Sequence, residues 1–305
     1  MSVLGVLLLA LIFGVFWYLL RERRFPVVVM RVWFSISILA TVTTVYIVCI
    51  PIRVARRMKW ITKRRSEEIG CWFSCLVMGK VLRFLTPHIH IKVMEGSLDP
   101  HGLQQANVTC SCHTSFFDTL LFLEVMSPSY VSNSRALAKH TLWELPLLGK
   151  VIDVCGHFPI YFTSSSENSF SVDKEKQAQV KVATDEFINS GGNLCLFPEG
   201  ALNRTPEKLK DFRHGTFTMI LQHNSRLYYV VHNGSHEVWP AKLTGLPGSP
   251  ADVYIYIGEH KYDAATSTAE QLSVELRGVM QKHVDQILEL RMQSKRSTGE
   301  GRKDN

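Results

Sequence analysis

Asn107-Val108-Thr109-Cys110-Ser111-Cys112-His113-Thr114-Ser115-Phe116-Phe117-Asp118, followed by Thr119-Leu120-Leu121-Phe122, decides how this chain is read. The first half is short, β-branched and rich in Cys, which packs as a small hydrophobe, so Asn107 to Cys112 reads as a buried strand. Thr114 and Ser115 are natural helix N-caps, and an apolar helix over Thr119 to Met126 follows them. A strand that turns through polar residues into a helix is a unit of α/β architecture. Working outward, strand-like runs fall at His90 to Val93, Tyr130 to Asn133, Asn193 to Phe197, Leu227 to His232 and Val253 to Ile257. Helical periodicity marks Ser171 to Ile188, closed by Gly191-Gly192, and Thr268 to Arg291, whose Leu272, Leu276, Met280, Val284 and Ile287 share one face. The expected fold class is α/β, a mixed central sheet flanked by helices, over residues 66–293.

Residues 1–65 read differently. Val3 to Leu20 is an apolar run of eighteen residues and Val32 to Ile52 a charge-free run of twenty-one, each long enough to cross a hydrocarbon core of about 30 Å. Arg21, Arg23 and Arg24 follow the first run, whereas a signal peptide carries its charge ahead of it, so a retained N-terminal hydrophobic helical anchor is expected. Basic clusters flank both ends of the second run, which leaves two arrangements open: two full spans, or a hairpin in one leaflet. The larger cluster, Arg53 to Arg65, favours a domain on the cytosolic side. The chain carries +7 overall, yet residues 21–65 alone hold +10 and the remainder −3. That distribution is a collar for anionic lipid headgroups and excludes the basic stripe of a nucleic-acid binder. The tail over 294–305 is polar and expected to be disordered. Seven cysteines, an odd number, make no disulfide framework and fit a reducing compartment.

The chemistry is concentrated in His113-x4-Asp118. A neutral imidazole can take a proton from an alcohol, while a carboxylate on its other nitrogen fixes the tautomer and stabilises the cation. On one continuous helix, residues five apart sit about 140° round the axis, so the pair can meet only if His113 lies in a loop and Asp118 in the first helical turn. Ser115-x-x-Asp118 also fits a capping box that requires no chemistry. Further along, Phe197-Pro198-Glu199-Gly200 ends a strand, an acidic residue and a permissive glycine placed where a ligand can approach. Arg204 offers a cation for phosphate.

In this order the motifs resemble the glycerolphosphate acyltransferase superfamily, the family of lysophosphatidate (1-acylglycerol-3-phosphate) acyltransferases. His113-x4-Asp118 matches its first block. Ala138-Lys139, Leu145-Pro146-Leu147-Leu148-Gly149 and Gly156-x-Phe158-x-Ile160 resemble its second, and Phe197-Pro198-Glu199-Gly200 matches its third. The resemblance covers roughly residues 85 to 235. It implies His113 as general base oriented by Asp118, and a substrate region containing Lys139, Glu199, Gly200 and Arg204. It further implies acyl-CoA as co-substrate, a lysophospholipid or glycerol phosphate acceptor, no metal or other cofactor, and residence in the endoplasmic reticulum membrane. The chain departs from the family at two arginines: Ala201-Leu202 follow Gly200 in place of Thr-Arg, and Phe162 stands where the second block ends in arginine. Tyr229 replaces a proline of the fourth block.

Other readings stand beside this one. Cys110-x-Cys112-His113 and Cys155-x-His157 could pair as a zinc site, although their spacing is unlike the common patterns. Cys112 as a nucleophile beside His113 conflicts with strand geometry, which points neighbours to opposite faces. A non-catalytic lipid-binding protein would account for the anchor and collar. Sequons at Asn107, Asn203 and Asn233 would place the domain in the lumen if glycosylated.

Overall fold

The computed structural model describes residues 2–166, 169–242 and 245–297. Two apolar helices come first, α1 (Val3–Arg21) and α2 (Val27–Arg57). They are followed by α3 (Lys63–Ser74), a π-helical stretch Cys75–Val81 and α4 (Leu82–Leu85). Then come β1 (Ile89–Val93), β2 (Asn107–Ser111), α5 (Asp118–Val125), α6 (Pro128–Ser132), β3 (Ser134–Lys139) and α7 (Leu148–Cys155). Next are β4 (Phe158–Ile160), the pair β5 (Phe162–Ser166) and β6 (Ser169–Val172), α8 (Lys174–Asn189) and β7 (Asn193–Leu196). The chain ends with α9 (His214–Gln222), β8 (Arg226–Asn233), α10 (Ser235–Val238), β9 (Ala251–His260) and α11 (Ala269–Ser297).

Among the described residues the main sheet has seven strands in the order β1-β9-β8-β2-β7-β3-β4. The five from β8 to β4 run parallel, while β9 is antiparallel to β8 and carries β1 with it. The fold is therefore mixed α/β. Side chains alternate across it with the strand period of two. Val108 and Cys110 of β2 and Leu227, Tyr229 and Val231 of β8 face α9 and α11, joined by Leu272, Leu276 and Met280. Tyr228 and Val230 point to the opposite face, where Phe117, Leu121 and Tyr130 pack.

Two expectations shift. Tyr130 to Asn133 is not a strand: it lies mostly in α6, where Ser127 accepts the Tyr130 N–H (3.2 Å) and Pro128 opens the first turn. The strand, β3, begins at Ser134. Ser171 and Val172 belong to β6, and Asp173 caps α8 by accepting the Lys176 N–H. At the far end α11 continues through Ser297, past the start of the polar tail; residues 298–305 lie outside the described part.

α2 places the apolar segment relative to the domain. Met30, Phe34, Ser37, Thr41, Val45, Cys49 and Ile52 form one buried stripe along its length, packed against α3, α4, α7 and the π-helical stretch. At its start the turn before α2 is clamped: Arg23 donates to the His88 carbonyl and pairs with Asp252, and Arg31 donates to Ser249. Both ends of α2 thus rest on one body. The opposite face stays exposed at Val28, Val32, Ile36, Leu39, Ile47 and Ile50. α1 buries only Leu20, and its Trp17 indole donates to the Phe84 carbonyl at the end of α4.

Candidate active site

The parallel strands β7, β2 and β8 are neighbours, so their carboxyl ends line one edge of the sheet, where open α/β sheets bind ligands. β2 leads into His113, β7 into Phe197–Gly200, and β8 ends at His232 and Asn233. Lys139, the last residue of β3, lies on the same edge one strand beyond β7.

His113 sits in the loop and Asp118 is the first residue of α5, the break in helix geometry that their spacing requires. His113 Nδ1 and Asp118 Oδ2 are 3.0 Å apart. The same oxygen accepts the Thr114 and Ser115 N–H groups at 2.8 and 2.9 Å, so Asp118 caps the turn and orients the imidazole at once. Neither Thr114 nor Ser115 is the N-cap; that position is Phe117, and Ser115 Oγ accepts its N–H while donating to the Trp239 carbonyl. Burial raises the Asp118 carboxyl's pKa, but the charge of His232 and the hydrogen bonds from His113 and Ser235 outweigh it, holding the group below its ordinary value. Asp118 is therefore a carboxylate, His113 Nδ1 carries the hydrogen, and Nε2 is left as an acceptor. The His113 side chain is 20% exposed against 0% for Asp118. Its ring lies flat on Phe197, centroids 4.0 Å apart at 12°, which fixes the imidazole plane.

Glu199 is buried, and its two carboxylate oxygens accept the N–H groups of His113 and Lys210, each at 3.0 Å. Burial raises its pKa and these two N–H groups oppose the rise. The carboxylate thus faces the backbone of two loops: it braces the loop that carries His113. Gly200 adopts a left-handed φ of +70°, and a Cβ there would come within 3.1 Å of Arg213. Asn203 N–H donates to the His113 carbonyl at 2.6 Å, which seats exposed Arg204 one residue from the histidine's loop. Lys139 is exposed on the strand edge.

Sequence reasoning missed two residues. Ser235 Oγ donates to Asp118 Oδ1 at 2.7 Å, and His232 Nε2 stands 3.5 Å from the same oxygen. Ser235 drew notice only as part of a sequon, and His232 only as part of a strand. The available signal was strand parity: Tyr228, Val230 and His232 share the face of β8 that looks toward α5.

All three sequon asparagines are buried, with amides donating to Gln104 O, Lys208 O and Pro206 O from Asn107, Asn203 and Asn233 respectively. The folded domain offers none of them to a glycan. The zinc pairing does not form either: Cys110 packs in the core beneath α11, while Cys155 and His157 gather with Cys71, donor atoms within 4.8 Å. Its donor atoms take hydrogen bonds from neighbouring residues, with Arg135 donating to Cys71 Sγ at 3.3 Å and His157 Nδ1 accepting the Ala136 N–H.

The chain matches known proteins along the segment that builds this edge. The protein-family model described as Acyltransferase matches residues 93–233. Among solved structures the chain is similar to the crystal structure of the 1-acyl-sn-glycerophosphate (LPA) acyltransferase PlsC from Thermotoga maritima. The TM-score is 0.62 at 18% identity, covering 88% of this chain and 97% of that one. Curated proteins return no match in sequence. Residues 93–233 thus match the Acyltransferase family model, and the likeness to the solved structure, at 18% identity, is one of fold.

Proposed function

We propose that the chain esterifies a glycerolipid hydroxyl with an acyl group from acyl-CoA, most specifically lysophosphatidate to phosphatidate, with His113 as general base. The observation that carries this reading is the 3.0 Å contact of a partly exposed imidazole with a sealed carboxylate. The acceptor hydroxyl binds at Nε2. As its oxygen attacks the thioester carbonyl its proton passes to Nε2, and collapse of the tetrahedral adduct breaks the C–S bond while the imidazolium returns the proton to the departing thiolate. Base catalysis of this kind is worth roughly 10² to 10⁴ in rate, and holding thioester and alcohol side by side contributes about 7–11 kcal/mol. The thioester is already activated, so no metal or further cofactor enters the scheme.

Lys139 and Arg204 stand on this edge as cations for the acceptor's phosphate, Gly200 permits close approach, and Glu199 holds the His113 loop in place. Phe162 and Ala201-Leu202, where the superfamily carries arginines, leave glycerol 3-phosphate and other lysophospholipids as alternative acceptors. The exposed faces of α1 and α2 enter the cytosolic leaflet of the endoplasmic reticulum as a hairpin, which lets the basic residues at both ends of α2 meet anionic headgroups on one side. The test is turnover of acyl-CoA by purified protein with glycerol 3-phosphate, lysophosphatidate and other lysolipids. Transfer to lysophosphatidate that vanishes in His113→Ala supports the reading, and turnover unchanged in that folded variant overturns it.

A further inference from the structure

His232 is buried, 1% exposed, and both of its ring nitrogens are engaged. Nε2 lies 3.1 Å from the Cys112 carbonyl, a pure acceptor, and 3.5 Å from Asp118 Oδ1. That nitrogen must carry hydrogen. Nδ1 lies 3.1 Å from Ser235 Oγ. A serine hydroxyl has a single proton, and the 2.7 Å contact of Ser235 Oγ with Asp118 Oδ1 requires it there. Toward Nδ1 the hydroxyl can only accept, so Nδ1 must carry hydrogen too.

We infer that His232 is a buried imidazolium, paired with Asp118 directly and through Ser235, and that it sets the basicity of His113 as a positioning residue that never touches substrate. The chemical consequence concerns proton affinity. A buried carboxylate beside a histidine raises the imidazole's proton affinity, and the more so the less its charge is offset by another cation. With His232 supplying the counter-charge, Asp118 keeps the orienting hydrogen bond to His113 but exerts less of its field. Among the described residues no other cation pairs with Asp118: the loop after β2 brings His113 and Cys112, the β7 loop Glu199, and α10 His236 and Glu237, with Arg291 of α11 pairing with Glu237 and donating to the Asn233 and Asp252 carbonyls.

Two measurements test this. In full-length protein labelled with ¹⁵N-histidine, the His232 ring should show two protonated nitrogens across neutral pH; a single-proton tautomer overturns the inference. This arm is independent of turnover. The second arm rests on His113 as base. Replacing His232 by Gln removes the cation, so the acid limb of kcat/KM should move to higher pH by roughly one unit. A uniform loss of rate with the limb unmoved overturns the tuning role. Should that variant not fold, Ser235→Ala deletes the acceptor for Nδ1–H, and the ring should then lose a proton at a pH where the parent keeps both; a ring unchanged by that substitution also counts against the inference. Turnover surviving in His113→Ala would remove the base assignment while leaving the ring measurement intact, so the two failures are distinguishable.

Discussion

At the scale of single residues, the site depends on one carboxylate shared among five hydrogen-bond donors and near-neighbours. Asp118 Oδ2 holds His113, Thr114 and Ser115; Oδ1 holds Ser235 and faces His232. Asp118→Asn removes the anion yet keeps the size, so kcat should fall by roughly 10²-fold or more; full activity with a lowered melting temperature would mean that the residue only braces the turn ahead of α5. The depressed Asp118 value also predicts a pH dependence. A carboxyl whose folded pKa lies below its unfolded one contributes stability above about pH 4 and loses it as pH falls through the folded value. The melting-temperature gap between parent and Asp118→Asn should therefore be constant near neutrality and close in acid. Residue types and spacing made His113 and Asp118 legible beforehand, because five positions of sequence contain the whole contact. His232 and Ser235 were not legible: they arrive from more than a hundred residues away, and only strand pairing brings them in. Glu199 was legible in position but not in direction, since no local pattern reveals that its oxygens are taken by two backbone N–H groups.

At the scale of elements, the π-helical stretch and α5 are packed tightly enough to read mutations from. A Cβ on Gly79 would lie 2.3 Å from the Leu123 carbonyl, so Gly79→Ala should cost about 1–3 kcal/mol of stability by overpacking, visible in chemical denaturation. On the same helix pair, Glu124 is buried with Oε1 unpartnered, and burial pushes its pKa up to about 8. Here the sign reverses. The folded state holds this proton more tightly than the unfolded chain, so stability should decline as pH rises from about 4.5 toward about 8. Glu124→Gln should flatten that decline and melt higher at alkaline pH; an unchanged slope would show that the carboxyl is not the cause. Periodicity found α5, α8 and α11 because long amphipathic patterns are hard to mistake. The expected strand at Tyr130 to Asn133 failed because β-branched and aromatic propensity there is weaker than a local start signal, Ser127-Pro128, that fixes one helical turn.

At the scale of the whole molecule, the apolar hairpin is fastened to the domain rather than tethered to it. The stripe from Met30 to Ile52 and the Arg23 clamp hold α2 along the helical layer, while α1 and the outer face of α2 remain uncovered. Deleting residues 3–21 should leave the domain folded by circular dichroism yet abolish flotation with vesicles containing anionic lipid. Flotation that persists would assign membrane binding to α2 and the basic residues alone. Length and hydropathy made the two apolar helices plain in the sequence, but not their packing, because Ser37 and Thr41 look like ordinary punctuation until neighbouring helices cover them.

The order of strands in the sheet has one more consequence. Among the described residues β1 pairs with β9 alone, Ile89 beside Ala251, and central β2 lies beside β8, Asn107 beside Arg226. Contacts so remote in sequence are slow to form, since a long loop must close before any pairing rewards it. During synthesis the two apolar helices and five of the seven described main-sheet strands are made before β8 and β9, which knit them together. On the membrane reading proposed above, the apolar helices meet lipid before the strands that complete the sheet are made, and the sheet edge closes after that encounter.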